Sequence, residues 1–308
     1  MKKQIASAVL SLIFAMNTTA PVFAGNGATL PAAEKVTAME KMLYGTNQTG
    51  SLVQRMDSLE DDVYGTVTTN GVLERINNMY DFLDGDDKSE ASFNTRLNVV
   101  EWKFQESMSS EPAKTRIEKL EKFVNGSTVG GSLSDRLDEL TKLAAYKNGN
   151  IPVQEVTLPA DNTIKIEFLE TLSTKQNRVG DVVKFKAADN LYVNDVLVLP
   201  KGAKGTGNIK KVVQPGIFGK DGRIDINFTS IAGVDGTQIP VTVGELAKQK
   251  ISSAAGAGAA TIGGLVILGP VGLVGGAFVK GASVTIPAGS YTYVQTTADT
   301  TLQGVVSE

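Results

Sequence analysis

The chain has 308 residues, of which 42% are hydrophobic and 20% are charged, and its formal net charge at pH 7 is −3. It contains neither cysteine nor histidine. Disulfide frameworks, thiolate nucleophiles, thiol or imidazole metal sites and histidine-based catalytic triads are therefore excluded. The mild acidity argues against a nucleic-acid partner, because proteins that bind nucleic acid usually carry a basic face. The length allows two domains.

Residues 1–24 have the pattern of a secretory signal peptide. Two lysines precede an apolar run over residues 5–16, and the small residue Ala24 stands before Gly25. We therefore predict cleavage between Ala24 and Gly25, followed by a mature N-terminal segment over residues 25–34. A retained membrane anchor is the alternative, but the apolar run is shorter than the about 20 residues that a spanning helix needs. Export without cysteine favours a bacterial cell envelope.

Residues 35–146 contain a repeat of about 20 residues. Six units are present, and their markers are Lys35 followed by arginines at intervals of 20 or 21 residues, which are Arg55, Arg75, Arg96, Arg116 and Arg136. Each unit is predicted to be one helix and one turn, in which Ser51 is a typical N-cap and Gly65 a typical left-handed end. The apolar residues between them form one narrow stripe, as in a coiled coil: Leu52, Met56, Leu59 and Val63.

A helix of this length, about 20 Å, cannot bury its stripe alone, so neighbouring units or another chain must cover it. Three of the arginines precede a glutamate by five residues, namely Glu60, Glu101 and Glu121. The charges are expected to pair across the stripe or between units and to set the register. The alternative is an array that binds an anionic polymer such as a wall glycan. A run of acids in the middle lacks the spacing of a calcium-binding loop and is interpreted as a solvated loop: Asp84, Asp86, Asp87 and Glu90.

The second half is predicted to be a β domain over residues 153–303, after a linker at residues 147–152 and before a tail at residues 304–308. Its apolar residues alternate, as in Thr163–Phe168 and Arg223–Phe228. Short strands separated by glycine-containing turns predict a small antiparallel barrel or sandwich. The whole chain is therefore expected to be an α+β multidomain protein, with a short-helix repeat array before the β domain.

The β pattern is interrupted by residues 251–279, an insertion of 29 residues that has no charge and contains eight glycines. If the flanking strands belong to one barrel, the insertion must leave and return, so we expect a helical hairpin that turns at Gly269 and Pro270. Its arms are shorter than a usual span of about 20 residues, which favours partial membrane insertion or coverage by other subunits. The alternative is a hairpin packed as core on its own domain. The glycine spacing fits no nucleotide-binding motif.

Several turn motifs of the second half occur in an order known from one protein family. They are Leu158-Pro159-Ala160, Gly180-Asp181, Leu199-Pro200-Lys201-Gly202-Ala203, Gly222-Arg223, Val234-Asp235-Gly236 and Ile286-Pro287-Ala288-Gly289-Ser290. In this order they resemble the C-terminal domain of the TrbI family, the outer-membrane core subunit of conjugative type IV secretion channels. In that family a helical hairpin inserted late in a β-barrel enters the outer membrane in a ring of copies, and residues 251–279 fall in the corresponding place.

The resemblance implies the barrel, the hairpin and ring formation. It does not extend to the first half, because the family has an uncleaved N-terminal helix and a proline-rich stretch where this chain has a removable signal and a helical repeat. A role in a secretion channel is therefore not carried over.

Together these patterns predict a non-enzymatic structural or anchoring protein of the periplasm, outer membrane or cell surface of a bacterium. The repeat is expected to form an arm, and the β domain is expected to associate with the outer membrane or with sister subunits. The alternative is a binding module whose repeats recognise peptidoglycan or another surface polymer. An enzyme is not favoured, because the acids are scattered over helix faces and turns and are not paired in a cleft. No cofactor, metal ion or nucleotide is expected.

Overall fold

The computed structural model describes residues 30–85, 90–109, 111–146, 150–215, 222–254, 259–262, 265–268 and 283–306. Within these ranges the N-terminal half is helical and the C-terminal half consists of antiparallel sheets with one further helix, so the α+β prediction is confirmed. Some of the positions discussed above lie outside the described residues: Ala24, Gly25, Asp86, Asp87, Gly269 and Pro270.

The helices of the repeat region recur at the interval of the sequence markers. They are α1 (Ala32–Tyr44), α2 (Leu52–Tyr64), α3 (Val72–Asp84), α4 (Phe93–Gln105), α5 (Ala113–Asn125) and α6 (Leu133–Leu143). Ser51 begins α2 with a capping box that it forms with Gln54. Gly65 ends the same helix with a φ of 73°, a left-handed conformation that glycine adopts at little cost.

The repeats bury their apolar stripes against one another. In α2, Met56, Leu59 and Val63 are fully buried, and the equivalent residues of the other helices join them in one core. Helices α1, α2 and α3 pack together, as do α4, α5 and α6, and the two groups meet through α1–α5, α2–α6 and α3–α4. The helices therefore form a closed bundle and not the extended arm expected from the sequence, because each stripe finds its cover within the chain.

The strands of the second half follow the bundle in chain order. They are β1 (Val153–Leu158), β2 (Thr163–Phe168), β3 (Leu172–Ser173), β4 (Val182–Ala187), β5 (Leu191–Val193), β6 (Val196–Leu199), β7 (Lys204–Val213), β8 (Arg223–Ala232), β9 (Gln238–Thr242), β10 (Ala259–Ile262), β11 (Leu265–Leu268), β12 (Thr285–Ile286), β13 (Tyr291–Thr296) and β14 (Thr300–Val306).

Six of these strands close into an antiparallel barrel in the order β13-β2-β4-β7-β8-β9. The ring closes where Gln295 and Thr296 of β13 pair with Thr242 and Val241 of β9. Aromatic side chains fill part of the interior, with the rings of Phe185 and Phe228 edge to face and 5.3 Å apart. The short strands β3 and β12 pair with each other beside the barrel.

A second sheet, with the strand order β1-β14-β6-β5, joins the barrel to the bundle. Leu197 of β6 and Val305 of β14 belong to the core of the bundle. Val198, next to Leu197, and Leu302, three residues before Val305, belong to the core of the barrel. Because successive residues of a strand point to opposite faces, this one sheet contributes to both cores.

The described part of the insertion differs from the predicted helical hairpin. Helix α7 (Glu245–Ala254) packs against β2 and β13, and β10 and β11 then pair as a β-hairpin. Strand β11 continues the sheet where Leu268 pairs with Tyr291. Four glycines between residues 256 and 264 disfavour a helix, whereas the β-branched residues of β10 and β11 favour strands. Residues 269–282, which include the predicted second arm, lie outside the described residues.

Among the residues that the structure describes, no helix has both the length and the apolar character needed to cross a membrane.

Candidate functional site

The repeat arginines are placed at the junctions between helices. Four of the five pair with the glutamate that precedes them by fifteen residues, at closest N–O distances of 2.7 Å: Arg55–Glu40, Arg75–Glu60, Arg116–Glu101 and Arg136–Glu121. In each pair, Nε and Nη2 both donate to the carboxylate. This geometry matches the planar fork of a guanidinium group.

The glutamates of these pairs also hold the loops. Each accepts a hydrogen bond from the backbone N–H eight residues later, as Glu60 does from Thr68 at 2.9 Å. Burial raises the pKa of Glu60, but the hydrogen bonds from Arg75 and Thr68 outweigh it and hold the pKa below its usual value. The pKa of Glu121 is lowered in the same way by Arg136. Each glutamate therefore connects its own helix, the next loop and the next helix.

The burial of these ion pairs argues against an arginine array that binds an anionic polymer. The four paired arginine side chains are between 6% and 16% exposed, and their glutamates are at most 3% exposed. Each positive charge is already matched inside the bundle by a negative one. The paired arginines thus do not present a charged surface to a polymer.

Arg96 is bound differently. Its Nη1 donates to Asp138 of α6 at 2.6 Å, while its Nη2 is buried and has no hydrogen-bond partner in the described part of the chain. At the helix position that supplies the glutamate elsewhere, α3 has Tyr80, and the loop from α3 to α4 is one residue longer than the loop from α2 to α3. The aligned residue of the first unit, Lys35, donates to Asn77 at 2.9 Å and lies 5.0 Å from the centre of the Tyr80 ring.

The root of the insertion is fixed to the barrel by Gln295 of β13. Its Oε1 accepts hydrogen bonds from the backbone N–H groups of Leu246 (3.0 Å) and Ala247 (3.2 Å) at the start of α7, and its Nε2 donates to Asp161 at 2.7 Å. Ala247 and Ile251 of α7 are buried. The sequence alone does not predict this role, because one glutamine in a strand pattern does not indicate which helix it caps.

Within the described ranges, no group of three or more acidic residues could hold a metal ion. Of the acids in the predicted solvated loop, Asp84 accepts a hydrogen bond from Asn94 at 3.1 Å.

Comparisons with known proteins leave the chain without an assigned family. No family model matches it, and no curated protein matches it. A solved structure, ComB10 of the Com type IV secretion system of Helicobacter pylori, is similar over 46% of this chain and 88% of that chain, with 17% identity and a TM-score of 0.27.

Proposed function

We propose that this chain is a non-enzymatic structural protein of the bacterial cell envelope, in which bundle and barrel form a base and residues 251–279 anchor that base to the outer membrane or to sister subunits. The supporting observation is that the insertion leaves a barrel that is already closed. Strands β9 and β13 pair with each other to complete the ring, so β10 and β11 lie outside it. A long apolar segment beside a complete barrel is typical of a surface that meets lipid or another subunit.

The flanks of the insertion fit this role. In the sequence, the 29 uncharged residues lie between Lys250 and Lys280, and lysines at the ends of an apolar segment suit the polar boundary of a membrane. Helix α7 carries the first of these lysines, and its buried Ala247 and Ile251 attach it to the barrel. Because α7 is fixed to the barrel, an anchored insertion would hold the bundle and the barrel in place.

Removal of the insertion tests the proposal. Residues 255–282 are replaced by a short Gly/Ser loop, which keeps α7 and its contact with Gln295. Bundle and barrel should still fold, because a change of loop length alone costs little, and the protein should move from the membrane fraction to the soluble fraction. The proposal fails if the unaltered protein is soluble and monomeric without detergent, or if the deletion unfolds the barrel, because the insertion is then ordinary core.

Point substitutions refine the same test. Leu268→Lys with Val271→Lys should weaken membrane association without abolishing it, since a charge at a bilayer centre costs about 2.5–3.5 kcal/mol and less near the interface. Val179→Lys is the matched control, because Val179 is an apolar residue of the β domain that is 64% exposed. Equal fractionation of both variants would count against insertion into lipid.

Ionic strength separates this proposal from polymer binding. Attachment to peptidoglycan or a surface polymer through charged side chains should weaken as salt rises, whereas attachment through an apolar insertion should persist. Export itself is tested by N-terminal sequencing of the protein from the envelope fraction. The expected first residue is Gly25, and an intact Met1 on exported protein would contradict the signal-peptide prediction.

A further inference from the structure

One end of the barrel, where β7 ends and β4 and β8 begin, carries a surface rich in positive charge. Its five cations, which together define the basic surface, are all exposed: Lys175, Arg178, Lys210, Lys211 and Arg223. Arg223 pairs with Asp225 at 2.5 Å. The other four form no ion pair with any residue that the structure describes. Exposed and unpaired cations therefore dominate this end of the barrel.

Backbone contacts bring these cations together. The backbone N–H of Gly180 donates to the carbonyl of Ile209 at 2.9 Å, so the loop between β3 and β4, which contains two of the cations, lies against β7. The side chain of Gln214, after the end of β7, donates to the carbonyl of Thr174 in the same loop. Strand β8 begins at Arg223, directly beside the end of β7. The five cations thus share one surface although they come from three parts of the chain.

A bulge in β7 keeps both of its lysines outside the barrel. Successive residues of a regular strand point to opposite faces, so either Lys210 or Lys211 would point into the apolar interior. The pairing of β7 with β8 shifts register between Ile209 and Lys211, and a bulge of this kind re-aims side chains. Ile209 is buried, whereas both lysines are exposed. The local irregularity therefore places two adjacent charges on the surface.

The insertion meets the barrel at this same end. Strand β11 pairs with the start of β13 through Leu268 and Tyr291. On the returning side, the backbone N–H of Thr174 donates to the carbonyl of Val284 at 3.0 Å, and Thr174 belongs to the loop that contains two of the cations. The described residues on both sides of residues 269–282 therefore contact the barrel near the basic surface.

This combination of charge and position favours a membrane as the partner. Anionic lipids attract lysine and arginine side chains close to the membrane surface, and a marginal apolar anchor becomes stable when a basic patch supplies a second attachment. The undescribed residues 216–221 and 269–282 contain Lys220 and Lys280 but only one acid, Asp221, so they do not reverse the sign of the charge.

We propose that the basic surface binds the phosphate groups of anionic lipids in the membrane that the insertion enters. This inference rests on the function proposed above and deepens it, because it selects lipid over sister subunits as the partner at this end of the barrel. The insertion then supplies the apolar part of the attachment, and the basic surface supplies the electrostatic part.

Vesicle flotation of the purified full chain tests the proposal with two compositions, phosphatidylcholine alone and a mixture of phosphatidylcholine with phosphatidylglycerol. The affinity for the mixture should be about tenfold or more higher, because the four unpaired cations add their attraction to the anionic lipid. This preference should shrink as the salt concentration rises. Equal affinity for the two compositions, or a preference that salt does not change, overturns the proposal.

The same measurement separates the failure of this proposal from the failure of the proposed function. Binding to phosphatidylcholine vesicles reports the apolar insertion, whereas the preference for phosphatidylglycerol reports the basic surface. A protein that binds both compositions equally retains the apolar anchor and refutes the lipid contact of the basic surface. A protein that binds only the anionic mixture supports that contact and refutes anchoring by the insertion.

Two variants with the same change in net charge locate the effect. The first removes the unpaired cations of the basic surface: Lys175→Gln, Arg178→Gln, Lys210→Gln and Lys211→Gln. The second removes four exposed lysines elsewhere: Lys119→Gln, Lys122→Gln, Lys142→Gln and Lys201→Gln. Only the first should reduce the preference for the anionic mixture, to about twofold or less. An unchanged preference in the first variant, or an equal loss in both, overturns the assignment.

The salt dependence of the unaltered protein remains a test if the first variant does not fold, as judged by circular dichroism. Soluble dextran sulfate then distinguishes a membrane from a soluble polyanion such as a nucleic acid or a wall polymer. It should displace the protein from the anionic vesicles only when its sulfate groups outnumber the lipid phosphates. Displacement at a lower concentration would assign the basic surface to a soluble polyanion and overturn the proposal.

Discussion

Glu60→Gln probes the buried ion pairs that connect the repeats. The Glu60 carboxylate accepts hydrogen bonds from Nε (3.1 Å) and Nη2 (2.7 Å) of Arg75, and from the backbone N–H (2.9 Å) and hydroxyl (2.8 Å) of Thr68. Its side chain is 3% exposed. Glutamine keeps the shape but removes the charge and turns one acceptor oxygen into a donor. Arg75 then keeps Asp57, which is 41% exposed.

The size of the effect follows from what remains at the site. Loss of one partner from a buried pair costs about 3–5 kcal/mol. The bond from Arg75 Nη2 to Asp57, at 2.6 Å, and the glutamine oxygen reduce this cost, so we expect a loss of about 2–4 kcal/mol in the free energy of unfolding. Urea unfolding followed by the helical circular dichroism signal measures it as a shift of the midpoint.

An exposed pair provides the control. Glu139→Gln breaks the bond from Lys142 to Glu139 on the surface of α6, where the two side chains are 53% and 69% exposed, and no measurable change in midpoint is expected. A loss below about 1 kcal/mol for Glu60→Gln would mean that the buried pair behaves like a surface pair. The account of the bundle as a network held by internal ion pairs would then be refuted.

Three more predictions concern the bundle, its contact with the β domain and the root of the insertion. The pKa values of Glu60 and Glu121 are lowered in the folded protein, so both carboxylates stabilise the fold at pH values above the glutamate pKa of the unfolded chain, about 4.3. The urea midpoint should begin to fall below that pH and continue to fall as the folded carboxylates protonate. Midpoints that do not depend on pH would contradict this prediction. Gly202→Ala would place a Cβ 2.5 Å from a backbone nitrogen of the α4–α5 loop, whereas the Cβ of Gly180→Ala meets nothing within 4 Å at a similar positive φ. Both variants should lose about 1–2 kcal/mol of stability to backbone strain, and only Gly202→Ala should lose more than this in thermal unfolding. Gln295→Ala removes the cap of α7, and hydrogen exchange of the first α7 amides should accelerate by an amount equivalent to about 0.5–2 kcal/mol; unchanged exchange would show that the cap is not needed.

The sequence predicts the parts of this fold that depend on local pattern. The repeat interval, the Ser51 cap and the apolar stripe are all short-range features, and alternation of apolar residues identifies most strands of the barrel. Closure of the bundle was not predicted, because it depends on which helices meet through contacts far apart in the chain. One local signal was present for the shared sheet: all four residues of β6, Val196–Leu199, are apolar and buried, as expected of a strand covered on both faces.

The insertion shows a different limit of sequence reasoning. Its absence of charge is visible at once, but glycine and alanine carry little periodicity, so the pattern did not separate a helical hairpin from the strands β10 and β11. The sequence predicts the ion-pair network only in part. Glutamates five residues after three of the arginines suggested that these charges pair. The observed partner is the glutamate of the preceding helix, fifteen residues before the arginine, and its identification requires knowledge of how the loop turns.

The distribution of the pairs explains why the array closes. Glutamate–arginine pairs join α1 to α2 and α2 to α3, and again α4 to α5 and α5 to α6, which are the junctions within the two groups of three helices. The junction between the groups, from α3 to α4, has Tyr80 where the glutamate would stand, a longer loop, and a bond from Arg96 to Asp138 of α6. If the junction from α3 to α4 repeated the other four, α4 would simply continue the first group. The break in the repeat therefore releases α4 to begin a second group that covers the first.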